Sequence, residues 1–176
     1  MTIKLPWTRR KAAFHYPISP VPRTAVLVDW FDPSPVRGYN VVQTFAEGFT
    51  QQAAAFGPAA LAGTRGQLLS LTALPPRLTH ALIVLARPGE PLTTASERDR
   101  LWRAFGVPVF EQIIAEDGCL LAAECEAHDG LHVQVAGRDW DEYWMQMAPC
   151  GCGQKSPRLH AAHLVERQRA AAAYAR

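Results

Sequence analysis

Three of the four cysteines in this 176-residue chain stand beside a histidine or beside one another. Cys125 is followed three residues later by His128, and Cys150 and Cys152 are separated by a single glycine. Thiolate and imidazole are the soft and borderline donors that zinc prefers. Two short ligand pairs on separate loops can supply the four corners of a tetrahedron. The second pair lies in Pro149-Cys-Gly-Cys-Gly153, where glycines let the backbone turn tightly and aim amides at sulfur. His132 is the rival for the fourth position. His128 is preferred because it falls in the loop, whereas His132 should start a strand. The expected site is therefore Cys125, His128, Cys150 and Cys152, holding one zinc ion. Four protein ligands leave no open position, so the ion would be structural and not catalytic. The competing readings are a set of buried free thiols with a core histidine, and a C-x-C redox pair.

These ligands need a scaffold, and the sequence outlines one. Thr24–Trp30 and Ala81–Ala86 read as buried strands, the second being the more continuous. Val41, Val42, Phe45, Phe49 and Ala53 recur at helical spacing and predict an amphipathic helix over about 39–55. A shorter helix is expected around 64–73. Thr94 and Glu97 form a capping-box pattern that starts a helix running to about Phe105. Val107–Ile114 is a further strand, and Cys119–Glu124 with Leu131–Val135 form a strand pair joined by the loop 125–130. Ser156-Pro157 reads as an N-cap and first helical residue opening an alanine-rich helix to the end. The expected architecture is α/β: a layered domain on a parallel or mixed sheet, a small zinc-clipped β-ribbon and a C-terminal helix. Residues 1–23, with four prolines, form an extended arm; 24–155 are the zinc-containing domain; 156–176 are the last helix.

Bulk properties exclude several functions. A formal net charge of +2 provides no strong field for nucleic acid or membrane. No apolar run approaches the roughly 18 residues of a membrane span, and no apolar segment follows the basic Arg9, Arg10 and Lys11. A soluble cytoplasmic protein is expected, and a reducing compartment favours thiols or metal ligands over disulfides.

From about Ala59 to Leu159 the chain resembles the phenylacetate–CoA ligase family of adenylate-forming enzymes, which includes coenzyme F390 synthetase-like proteins. The matching segments are Leu61-Ala-Gly-Thr-Arg-Gly-Gln-Leu-Leu69, Gly89-Glu-Pro-Leu92 and Ala104-Phe-Gly-Val-Pro-Val-Phe-Glu111. They continue through Glu124-Cys-Glu-Ala-His-Asp-Gly-Leu-His132 and Cys150-Gly-Cys-Gly-Gln-Lys-Ser-Pro-Arg158. The resemblance implies a fragment of an adenylation fold with a structural zinc on the Cys/His and C-x-C pairs. It also implies what is altered. The family's phosphate-cradling Ser/Thr/Gly-rich loop has no counterpart. Its aromatic-Gly-x-Thr-Glu segment is replaced by Ile113-Ile-Ala-Glu-Asp117. The R-T-G-D motif and the lid domain with its lysine are not found. Adenylation requires phosphate, magnesium and lysine electrostatics together, so no autonomous ligase activity is expected. The leading expectation is a non-catalytic accessory or small subunit that binds a protein partner, either a larger enzyme subunit or a second copy. The alternative is an enzyme or small-ligand protein reusing the old acyl pocket near Gly89–Leu92 and Phe110.

Other chemistry-bearing residues have plainer readings. Glu116 and Asp117 suit a turn before Gly118, His80 a surface cap, and His160 with His163 a solvated helix face. Trp140, Tyr143, Trp144, Met145 and Met147 form an aromatic and thioether cluster, first read as core and second as a docking surface. Arg158, Arg167, Arg169 and Arg176 on the last segment lack the aromatic support a nucleic-acid site would have.

Overall fold

Six consecutive apolar residues cannot have one wet face, so Ala81–Ala86 must lie inside a sheet covered on both sides. In the computed structural model, which describes residues 17, 20–30 and 41–161, that run is β4, and all six residues are buried. Beside it lie β3 (Ala60–Gly63) and β5 (Val109–Ile114), both parallel to it. β1 (Thr24–Val26) and β2 (Val42–Thr44) extend the parallel half outward. Past β5 the sheet turns antiparallel through β6 (Leu120–Glu124), β7 (Leu131–Val133), β9 (Arg158–Ala161) and β8 (Tyr143–Gln146). The nine strands run in the order β2-β1-β3-β4-β5-β6-β7-β9-β8, so the sheet is mixed, as expected.

Three helices cover one face of the parallel half: α1 (Gln51–Phe56), α2 (Arg65–Ser70) and α3 (Ala95–Phe105). Leu61, Leu82 and Val84 point to them, meeting Ala53, Leu68, Leu101 and Phe105. Alternate residues Ala60, Ala62, Ile83, Leu85 and Phe110 face the opposite way and form a second apolar cluster. The antiparallel half carries a third, built from Ile113, Leu121, Leu131, Trp140, Tyr143 and Leu159. Both helices α2 and α3 start in reciprocal capping boxes, Thr64 with Gln67 and Thr94 with Glu97. Gln67 also donates to the Leu27 carbonyl at 2.7 Å, fixing α2 onto the sheet.

Two expected helices are corrected. Helix α1 begins only at Gln51, while residues 42–44, assigned by spacing to the same helix, are the edge strand β2. Gly48, at φ +85°, breaks the chain between them. Phe45 and Ala53 share one buried cluster, with Phe49 packed against it, although strand end, turn and helix supply them. Their helical spacing is therefore a coincidence of packing. Arg158–Ala161 likewise form β9 and not a first helical turn. That strand fills the gap between β7 and β8, where Leu159 is fully buried. Inter-strand hydrogen bonds there outweigh the local signal of Ser156-Pro157. The rest of the proposed last helix and most of the arm lie outside the described residues.

Candidate metal centre

The hairpin formed by β6 and β7 and the loop between β8 and β9 meet at one edge of the antiparallel half. Cys125 follows β6 directly, and His132 is the middle residue of β7. Cys150 and Cys152 sit in the facing loop, closed by Gly153 N–H donating to the Cys150 carbonyl at 3.0 Å. Gly153 takes φ +86° there, so glycine fits the turn without strain. One ligand atom from each of Cys125, His132, Cys150 and Cys152 lies within 4.8 Å of all the others.

The edge lengths test which ion fits. Zinc–sulfur bonds of about 2.3 Å and zinc–nitrogen bonds of about 2.05 Å at tetrahedral angles require S···S edges near 3.8 Å and S···N edges near 3.6 Å. Cys125 Sγ and Cys150 Sγ are 3.7 Å apart, and Cys152 Sγ is 3.4 Å from His132 Nε2. The thiols are free, and a 3.7 Å separation is far beyond a disulfide bond. His132 Nδ1 is held by Ser156 Oγ at 3.0 Å, which directs Nε2 to the sulfurs. Burial, with the Arg158 charge as second cause, lowers the pKa of His132, which favours the neutral imidazole that metal binding needs. Burial pushes the Cys125 thiol up to about 12. The Cys150 thiol moves the other way, chiefly because the Cys152 amide donates to it.

Three of the four expected ligands thus converge, but His128 is not the fourth. It is the only described non-glycine residue with positive φ, at 51°. That left-handed turn sends its side chain to the other side of the hairpin loop. Its ring packs on Phe110 at a centroid distance of 4.7 Å, and Nδ1 lies 3.4 Å from Glu124 Oε1. His132, ranked second because it should start a strand, does lie in β7, and the strand presents it to the facing loop.

On the side to which His128 turns is a cavity of about 400 Å³, lined by Leu92, Arg98, Glu111, Glu124, Trp144 and His160, among others. Its inner wall is an ion network that the sequence reading missed. Arg98 of α3 donates to the Glu124 carboxylate at 3.0 Å and to the Val109 carbonyl at 2.6 Å, and lies 3.6 Å from Glu111. Glu111 Oε1 accepts from both the amide and the hydroxyl of Thr93, each at 2.8 Å. Burial still raises the pKa of Glu111, against the opposing pull of Thr93 and Arg98. The available signal was an acidic residue inside each of two apolar strands. Burying a charge there demands a partner, and Arg98 sits on the helix packed alongside.

The remaining candidates take modest places. Asp117 Oδ1 accepts from the Cys119 amide at 3.0 Å in the turn before β6. His80 pairs with its neighbour Thr79 on the surface. Trp140 and Tyr143 are core, while Met145 and Met147 are exposed, so the aromatic and thioether cluster divides between its two readings. His160 lies against Trp144, and its buried Nε2 has no hydrogen-bond partner among the described residues. His163 lies outside them. No helix among the described residues is long and apolar enough to cross a membrane.

No family model and no curated protein matches the sequence. Among solved structures, the fold is similar to an open conformation of 2-hydroxyisobutyryl-CoA ligase bound to 2-HIB-AMP and CoA. The TM-score is 0.50 at 18% identity, over 68% of this chain and 38% of that one. The chain therefore shares the fold of part of that CoA ligase, and it carries a Cys/His group able to hold a metal ion. It spans well under half the length of the ligase it matches.

Proposed function

We propose that this chain is a zinc-stapled module of the phenylacetate–CoA ligase type that no longer forms acyl adenylates and acts in the cytoplasm by binding a protein partner. The observation that carries the reading is a substitution of one segment inside an otherwise retained scaffold. Where the resemblance places the aromatic-Gly-x-Thr-Glu segment, Ile113 and Ile114 are fully buried. The chain then closes at once into a turn, with Ala115 N–H donating to the Cys119 carbonyl and Gly118 N–H to the Ala115 carbonyl, both at 2.9 Å. Buried aliphatic side chains and a closed turn offer a purine neither a stacking ring nor a free polar edge. Glu111 and Arg98 are already committed to each other and to Glu124. The Cys/His group, by contrast, still brings four donor atoms together. Zinc fits its donor set and both edge lengths; it would clip the β6–β7 hairpin to the β8–β9 loop.

The partner reading is supported by β8. Among the described residues this strand ends the sheet and pairs only with β9, leaving backbone groups that an incoming strand can use. Met145 and Met147, 38% and 71% exposed, stand on or just beyond it. Adaptable thioethers suit a docking edge. The test combines metal analysis, ATP–pyrophosphate exchange with a panel of aromatic and short-chain acids, and native mass measurement. One zinc per chain, no exchange, and a mass exceeding one chain is the expected result. Acid-dependent exchange at enzymatic rates would refute the proposal.

The cavity beside His128 favours a second reading, a small-ligand protein using the old acyl pocket. Of the residues that reading names, Leu92 lines the cavity, and Phe110 lies against the ring of His128, which lines it too. A ligand retained through purification and released by substituting Trp144 would favour this alternative.

A further inference from the structure

Arg158 is the largest fully buried side chain among the described residues, with 1% of its side chain exposed. A guanidinium keeps its charge in any protein environment, and burying one costs several kcal/mol unless something nearby demands it. Its position identifies what that is. On β9 it lies directly opposite His132 of β7. One terminal nitrogen donates to the Asp129 carbonyl at 2.7 Å and to the Asp129 carboxylate. The other donates to the Ala148 carbonyl at 3.2 Å. Asp129 belongs to the loop running from Cys125 to His132, and Ala148 stands two residues before Cys150. The fork thus grips both ligand-bearing segments, from a strand that itself follows the Cys152 turn.

We propose that Arg158 is the positioning residue of the metal centre. It holds the two ligand loops at bonding separation and supplies the positive charge that the loaded site lacks. The proposal rests on the reading of the cluster as a zinc site. Three thiolates with one divalent ion carry a net charge of −1, and an imidazole adds nothing. Arg158 is buried beside this centre, whereas its partner Asp129 is 53% exposed on its side chain and screened by water. The positive charge therefore acts mainly inward. A rigid, bidentate fork also fixes geometry in a way a lysine ammonium cannot, and partners of this outer kind carry about 10–100-fold in metal affinity.

The experiment follows the release of cobalt and zinc to a chromogenic chelator from the full chain, its Arg158→Met and Arg158→Lys variants, and Asp129→Asn. Circular dichroism of the metal-loaded forms confirms folding. For Arg158→Met, release at least 10-fold faster is expected, with a weakened or shifted thiolate-to-cobalt charge-transfer band. Arg158→Lys should fall between, since charge is kept and the fork lost. Asp129→Asn should stay close to wild type, because the carbonyl contact remains. If Arg158→Met does not fold, the lysine variant decides: a wild-type release rate and spectrum there overturn the proposal. Equal rates in a folded methionine variant do the same. A wild-type chain that takes up neither cobalt nor zinc overturns the metal reading as well. Metal uptake by wild type with unchanged release from the variants removes Arg158 alone.

Discussion

Titrating metal back into a stripped chain converts the four-ligand cluster into a measurable stability. A ligand that binds only the native state adds about 2.7 kcal/mol at 100 times its Kd and about 4.1 at 1,000 times, or about 1.4 for each tenfold step. For a chain of this size, 1 kcal/mol moves Tm by about 2–4 °C, so each decade of free zinc should raise Tm by roughly 3–6 °C. The hydrogen bonds of the ligand-bearing loop show what is gained. Apart from the thiols, the Cys150–Cys152 turn is held by Cys150 N–H to the Gln154 carbonyl at 3.3 Å and Gly153 N–H to the Cys150 carbonyl at 3.0 Å. Its flanks are held by the Ala148 contact with Arg158, Ser156 Oγ with His132, and Val133 N–H to the Pro157 carbonyl. The Cys125 thiol at about 12 must lose its proton to bind, so metal uptake releases protons and weakens as pH falls. Lowering pH by one unit should shift the plot of Tm against log free zinc by at least about one decade. Differential scanning fluorimetry in zinc buffers measures both effects. Cys150→Ser, which removes one ligand from the cluster, should flatten the line. A wild-type Tm that stays flat over three decades of free zinc would refute the reasoning, as would a Cys150→Ser line superimposed on wild type.

Four further outcomes follow from other parts of the molecule. His132→Ala should abolish metal content measured by mass spectrometry, whereas His128→Ala should retain one ion per chain; the reverse pattern would return the ligand role to His128. Arg98→Met leaves Glu111 and Glu124 without their buried counter-charge and should cost about 3 kcal/mol, or roughly 6–12 °C in Tm, read by thermal melts of the metal-loaded protein. Gly130→Ala should destabilise by about 2 kcal/mol in urea melts, because its φ is +81° and a Cβ there would lie 2.7 Å from His160 Nε2 and 2.9 Å from the Leu159 carbonyl. Glu111 has its carboxyl pKa raised above 4.5 by burial, so the native state keeps the proton to higher pH than the unfolded chain does. Its contribution is fully present below the unfolded value and is lost as pH rises through the folded one. Melts of Glu111→Gln should therefore gain on wild type from about pH 4 to pH 7, and a difference that does not change with pH would count against the burial argument.

The parts of the fold legible in the sequence were those where local signal and tertiary need agree. The Thr94/Glu97 box satisfies backbone groups within its own segment, the run Ala81–Ala86 is apolar on both faces as a central strand between two neighbours must be, and both formed where expected. Arg158–Ala161 shows the opposite case. Its helical start signals are genuine, yet two unpaired strand edges lie beside it, and ladder hydrogen bonds across four residues outweigh a cap. The grouping at 41–53 failed for a related reason. Residues lining one core are drawn from any element that reaches it, so helical spacing there identifies the core and not the helix.

The histidine is the more instructive correction. Donor chemistry cannot separate His128 from His132, since both lie in one hairpin and both carry an imidazole. Backbone handedness decides between them, through a left-handed residue at 128 and a strand residue at 132. His128 turns to Phe110 and Glu124 while His132 of β7 faces Cys152, so the six residues 125–130 lie between the two groups. Cys125 at one end belongs to the metal cluster, while His128, Asp129 and Gly130 line the cavity. A clip that fixes Cys125 and His132 therefore fixes one wall of that cavity without contributing a ligand to it. On the proposed reading, a metal there would set the shape of the surface met by whatever binds beside His128 or across β8.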